Sequence, residues 1–74
     1  MKKENVIRML ADILDVDIEE VKTESLLDDY EDWDSLAKLT LMAEVKKMCN
    51  YRLTQENVKT FKKVSDICCF LEGI

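Results

Sequence analysis

The chain predicts an all-α fold: a small four-helix bundle, three main helices plus one short helix, with a long first loop. Composition gives the first reason, because 74 residues include one glycine and no proline, which removes the turn chemistry of hairpin-rich β folds. Periodicity gives the second, since apolar residues recur at helical spacing in separate stretches. Size gives the third. Residues 1–74 make one domain, 47% hydrophobic, near the lower length at which a core holds without disulfides or metal.

The first helix is read from Glu4 to Leu14, where Val6, Ile7, Leu10, Ile13 and Leu14 form one apolar stripe opposite Glu4, Arg8 and Asp12. From Asp15 to Asp34 the apolar residues are too loosely spaced for one helix. A brief turn over Ile18–Val21 fits there, with Asp17 as its cap and Glu20 in its first turn. Loops of this length are uncommon in compact domains and tend to be functional. Val16, Ile18, Val21, Leu26 and Leu27 are its candidate anchors across the helix ends.

A second helix is predicted from Ser35 to Met48 or Cys49. Leu36, Leu39, Leu41, Met42, Ala43, Val45 and Met48 cover over half of its circumference, leaving Thr40, Glu44 and Lys47 as a polar strip. Such a surface predicts burial against several neighbours and makes this helix the expected centre of the core. Asn50, Tyr51 and Arg52 break the period. Thr54 then caps a short helix over Gln55–Thr60 with Val58 inward and Phe61 anchoring its end. Val64, Ile67, Cys68, Phe70 and Leu71 predict a last helix of about nine residues, with Gly73 as its terminator.

The net charge is −5, which disfavours nucleic acid and anionic membrane as partners and favours a basic surface. No stretch approaches the ~20 apolar residues of a membrane span. The N-terminus runs straight into a periodic helix, not into a leader-like apolar run. A soluble, cytoplasmic monomer is expected. Cys49, Cys68 and Cys69 cannot all pair within the chain, and adjacent Cys68 and Cys69 stand about 100° apart on a helix. They read as reduced thiols, at least partly buried. No histidine is present, which removes the usual general base for a serine or cysteine nucleophile and the commonest zinc ligand. The chain is read as not being an enzyme. Asp28, Asp32 and Asp34 alternate like a calcium loop, but Tyr30 fills one ligand position, and the glycine and the closing bidentate glutamate are missing.

The site to examine is Asp32-Trp33-Asp34-Ser35-Leu36, where the acidic loop enters the second helix. Asp34 is placed to cap that helix and Ser35 stands in its first turn. Unpartnered N–H groups and the macrodipole make that end mildly positive, so a phosphate on the Ser35 hydroxyl would be favoured. The same two residues are also ordinary helix-start chemistry.

Taken in order along nearly the whole chain, these features resemble acyl carrier proteins and the related peptidyl and aminoacyl carrier domains. The family pattern is an aspartate-serine-leucine triplet opening the second helix after a long loop, and Asp34-Ser35-Leu36 matches it. Val16 and Val21 stand at its loop anchors, Leu39, Leu41 and Val45 at its buried second-helix positions, and Val64 at the start of its last helix. The resemblance implies that Ser35 carries 4′-phosphopantetheine, transferred from coenzyme A by a phosphopantetheinyl transferase. The arm's thiol would hold an acyl or aminoacyl group as a thioester and present it to partner enzymes, after loading by a ligase or synthase. It implies a second role for Asp34, helping to hold the magnesium used in that transfer, and a partner-contact role for Leu36. It also implies an acyl groove lined by the second helix. Trp33 either packs the loop against the bundle or contacts the arm.

The chain departs from fatty-acid carriers in one respect. Their second helix is strongly acidic, whereas this one carries Lys38, Lys46 and Lys47 with Glu44 its one acid. The acids crowd instead at Asp28, Asp29, Glu31, Asp32 and Asp34. A free-standing carrier for a specialised pathway (polyketide-like, peptide-like or polysaccharide-modifying) is expected, and the rival reading is an unmodified helical interaction module. A thiol-dependent enzyme is a weaker third, lacking a histidine base.

Overall fold

A computed structural model describes residues 2–73. Four helices follow in order: α1 (Lys3–Leu14), α2 (Ser35–Cys49), α3 (Gln55–Lys59) and α4 (Val64–Glu72). Short 3-10 turns over Ile18–Glu20 and Leu27–Asp29 lie in the loop between α1 and α2. Among the described residues there is no strand, only one isolated antiparallel bridge between Leu26 and Lys63, so the all-α bundle is as expected. No helix among them is long and apolar enough to cross a membrane.

The centre of the packing is α1, not α2. It lies against both α4 and α2 and touches the first 3-10 turn. Because it is covered on two sides, it buries Met9 and Ala11 beside Val6, Leu10 and Leu14, while Ile7 and Ile13 sit half-buried at the edge of the core. The helix closes on Asp15, whose φ of 55° is left-handed, as Val16 N–H donates to Ala11 O at 3.1 Å. Glycine is the usual residue for that turn. The chain's single glycine, Gly73, ends α4 as expected, with a right-handed φ of −81°, and the left-handed helix ends are Asp15 after α1 and Asn50 after α2.

The long loop is tied down by side chains and backbone together. Val21, Leu27 and Trp33 are buried, whereas Ile18 and Leu26 point outward and do not anchor it. Leu27 N–H donates to Lys62 O at 2.9 Å, Val64 N–H to Ser25 O at 3.0 Å, and Ser65 N–H to Thr23 O at 2.9 Å. These bonds lace the loop to the start of α4. The turn expected over Ile18–Val21 spans Ile18–Glu20, and Asp17 makes no side-chain cap bond; its N–H donates instead to the Glu20 carboxylate at 3.0 Å. The Tyr30 hydroxyl then donates to Glu20 O at 2.6 Å and joins the two turns.

Thr54 caps α3, its hydroxyl accepting from Asn57 N–H at 3.1 Å, and Val58 and Phe61 are buried below it. Phe70 stands edge-on to both Phe61 and Tyr51, at 5.5 and 5.8 Å between ring centres. At the start of α4 the Asp66 carboxylate accepts from Lys62 N–H at 2.9 Å and Lys63 N–H at 3.0 Å. Those two bonds, the one from Lys63 first, hold its carboxyl below the usual value of 3.8.

Candidate functional site

Three consecutive residues position the start of α2. Trp33 is only 8% exposed, so the indole pins the end of the loop to the bundle. Asp34 follows in extended conformation as the N-cap. Its Oδ1 accepts from Ala37 N–H at 2.9 Å, and its carbonyl accepts from Lys38 N–H at 3.0 Å. Ser35 is then the first residue of a 15-residue helix. The Ser35 side chain is exposed, and among the described residues its hydroxyl has no hydrogen-bond partner. The N–H groups of the first helical turn, apart from the capped one, lack intrahelical acceptors and face outward with the positive end of the dipole. Field and accessibility both suit an anionic substituent on that oxygen.

The helix that follows is buried along one stripe, Ala37, Leu41 and Val45, which corrects the expectation that it forms the centre of the core. Leu39, expected among the buried positions, is 53% exposed, and Leu36 is 72% exposed. At 100° per residue, Leu36, Leu39 and Ala43 share the face opposite the buried stripe, and Lys46 and Lys47 continue that face toward the C-terminal end. An apolar strip ending in two cations is therefore turned outward from Ser35.

Beside Ser35, between α2 and α3, lies a half-open groove of about 250 Å³. Leu39, Met42 and Val58 give it an apolar lining, and Lys38 and Lys59 flank it. The Lys38 ammonium stands 5.8 Å from the centre of the Trp33 ring, a distance at which the π face attracts a cation. Trp33 thus packs the loop and lies within cation–π reach of Lys38. A larger depression of about 340 Å³ lies between α1 and α2, lined by Arg8, Asp12, Thr40 and Glu44 among others. Ser35 is not in its lining.

Serine, groove and lysines fit a phosphopantetheine arm. An open hydroxyl offers the attachment atom, two ammonium groups suit a phosphodiester, and the apolar lining suits the dimethyl segment next to it. No group of three or more acidic or cysteine side chains among the described residues is arranged to hold a metal ion, and Asp34 stands as a single capping carboxylate. The cysteines are scattered and free: Cys49 is half-buried, Cys68 buried and Cys69 exposed, so partial burial does not extend to Cys69. Burial, with Glu72 nearby, pushes the Cys68 thiol above its usual value, the opposite of an activated nucleophile.

No family model matches the chain, and neither a curated protein nor a solved structure matches it. The sequence places Asp34, Ser35 and Leu36 together, and the fold keeps all three exposed at one helix start. Val58 and Lys59 carry no such signal. They join the site only because α3 packs beside the first turns of α2. Lys38 was legible in part, since it lies little more than a helical turn after Trp33.

Proposed function

We propose that the protein is an acyl carrier: Ser35 bears 4′-phosphopantetheine, and the arm's thiol carries an acyl or aminoacyl group as a thioester between partner enzymes. The observation that carries this reading is the free, exposed Ser35 hydroxyl at the first turn of a capped helix, with the indole before it buried. Tethering gives such a protein its use, because cargo then reacts only where the carrier docks and at high local concentration. Within this reading Asp34 holds the helix start in register, and its carboxylate is the candidate for assisting magnesium during arm transfer. The arm supplies the thiol chemistry; the chain supplies position and recognition.

The outward strip Leu36-Leu39-Ala43 with Lys46 and Lys47 is the docking face in this reading. Its charge selects partners with an apolar socket and an acidic rim, not the basic patches that suit an acidic second helix. That selectivity supports a dedicated carrier for a specialised pathway. A transferase, a loading ligase or synthase and an accepting enzyme are its expected partners.

The test is the intact mass before and after incubation with coenzyme A, magnesium and a broad-specificity phosphopantetheinyl transferase. Addition of one phosphopantetheine to the protein and none to Ser35→Ala is expected, with both equally folded by circular dichroism. If a folded sample gains nothing from several transferases, the protein is an unmodified helical module whose outward α2 face binds a protein directly.

A further inference from the structure

We propose that the groove between α1 and α2 docks an amphipathic helix with a basic polar face, supplied by another protein and bound independently of Ser35. The proposal does not rest on the carrier reading, because this groove lies on the other flank of α2. At 100° per residue, Thr40, Glu44 and Met48 stand to one side of the buried stripe, and Lys38 and Met42 stand to the other. A partner held here leaves the Ser35 hydroxyl open.

Shape argues for a helix. Asn5, Met9 and Ile13 from α1 and Thr40, Glu44 and Met48 from α2 line the groove. Residues four apart on a helix fall in one row, and eight residues rise ~12 Å, so two rows wall a channel a little over two turns long. Its volume of about 340 Å³ equals roughly eleven water-sized groups at ~30 Å³ each, room for about two or three branched apolar side chains. A helix laid along the channel presents such side chains a turn apart. Met9 is buried, Ile13 half-buried and Met48 52% exposed, which gives an apolar floor with one uncovered end. Methionine adapts its shape to an incoming side chain and is favoured at surfaces that bind helices.

Charge selects which helix. Arg8 and Asp12 are exposed and Glu44 is half-buried, and all three line the groove. Among the described residues their side chains make no ion pair and no hydrogen bond. Arg8 and Asp12 are four apart, but with the cation first, which is the weaker order for a pair on a helix. Two carboxylates against one guanidinium leave the groove net negative. Covering it with an apolar or acidic occupant would take the Glu44 carboxylate further from water with no partner, which is costly. The occupant therefore brings lysine or arginine to Glu44 and Asp12 on either side of its apolar anchors. A second copy of this chain brings a net charge of −5 and is repelled.

The experiment titrates isotope-labelled protein, followed by NMR, with short stapled helical peptides. They share one row of leucines and differ only in their flanking residues: lysine, glutamine or glutamate. Amide shifts are expected over residues 5–13 and 40–48. The lysine-flanked peptide should bind about 2- to 30-fold tighter than the glutamine one, the range for two partly exposed ion pairs, and the preference should shrink as salt is added. Asp12→Asn combined with Glu44→Gln should erase that preference. Asp28→Asn combined with Asp29→Asn takes the same charge from the acidic loop and should keep it. Ser35→Ala should bind as the unaltered protein does. Shifts centred on residues 28–34, or on Leu36, Leu39 and Ala43, would overturn the proposal. So would a preference that survives Asp12→Asn with Glu44→Gln, or no binding of any peptide. Groove shifts that appear on concentrating the protein alone would also overturn it and give the groove to a second copy. Mass gain at Ser35 tests the carrier reading separately, so either reading can fail without the other.

Discussion

Asp34 caps α2 and, in the proposed function, also serves the site, and two substitutions separate the roles. Its Oδ1 accepts from Ala37 N–H at 2.9 Å, the bond that defines an N-cap. Asp34→Ala removes it, at a cost of about 1 kcal/mol. It also removes a negative charge from the positive end of α2, for a further ~0.3–1 kcal/mol. In a domain of this size each kcal/mol moves the midpoint by roughly 4–8 °C. The alanine variant should therefore melt ~5–16 °C lower, followed by far-ultraviolet circular dichroism. Asp34→Asn keeps an acceptor of the same reach and caps as well as aspartate, so it should lose only the charge contribution, ~1–8 °C, shrinking as salt is added. Arm transfer to Ser35, timed by intact mass, should divide differently. On the proposed carrier function, Asp34→Asn should be modified much more slowly than its stability predicts, because the carboxylate proposed to assist magnesium is gone. If the asparagine variant melts as low as the alanine one, the hydrogen bond is not what holds the helix start. If it is modified at the unaltered rate, Asp34 is a cap and nothing more.

Two other predictions test the packing and the pH response. Leu41 is fully buried and Leu39 is 53% exposed, so Leu41→Ala should cost ~2–5 kcal/mol, a large part of the ~4–11 kcal/mol expected for the whole domain, while Leu39→Ala should stay within ~0.5 kcal/mol. Urea denaturation measures both, and equal losses would contradict the assignment of the outward face. The Asp66 carboxyl sits below its usual value of 3.8 through the N–H groups of Lys63 and Lys62. A depressed folded value adds stability above the unfolded value and loses it as pH falls through the folded one. The gap in stability between the protein and Asp66→Asn should therefore be constant above pH ~5 and close on acidification below 3.8. A gap that persists at lower pH would refute the charged bonds as its source.

The helices were legible because their signals are local. Val6, Leu10 and Leu14 mark α1 by spacing alone, Thr54 caps α3 by residue type, and Asp34 announces α2 before any packing is considered. The burial pattern of α2 was not legible. Its apolar residues cover over half of the circumference, so periodicity singles out no one inward stripe, and only the packing of the neighbouring helices reveals that Leu41 is buried and Leu39 is not. The loop hid its anchors for a related reason. Ile18 and Leu26 read as apolar pins like Val21 and Leu27, yet backbone bonds from Leu27, Val64 and Ser65 fix the loop and leave those two outside. Ser35 was legible as a site from its neighbours in the chain, and the groove was not, since Val58 and Lys59 come from another helix.

The broad apolar surface of α2 has a physical consequence for how such a protein works. A helix whose fully buried residues are Ala37, Leu41 and Val45, with Met42 and Cys49 packed half-buried beside them, has a narrow stripe of burial with which to resist being pulled by a docking partner. The rest of its support comes from its ends: Trp33 and the Asp34 cap at the start, and the left-handed Asn50 at the finish, where the Asn50 N–H donates to Lys46 O at 3.0 Å. That arrangement frees the opposite face to carry Leu36, Leu39 and Ala43 without competing for core volume. Burying those residues would have strengthened the domain and removed the surface beside Ser35. Stability and accessibility at this helix are therefore set by different residues, and a substitution in one set should leave the other largely unchanged. Asp34 and Trp33 stand in both sets, which places the junction of loop and helix at the point where fold and proposed function are coupled.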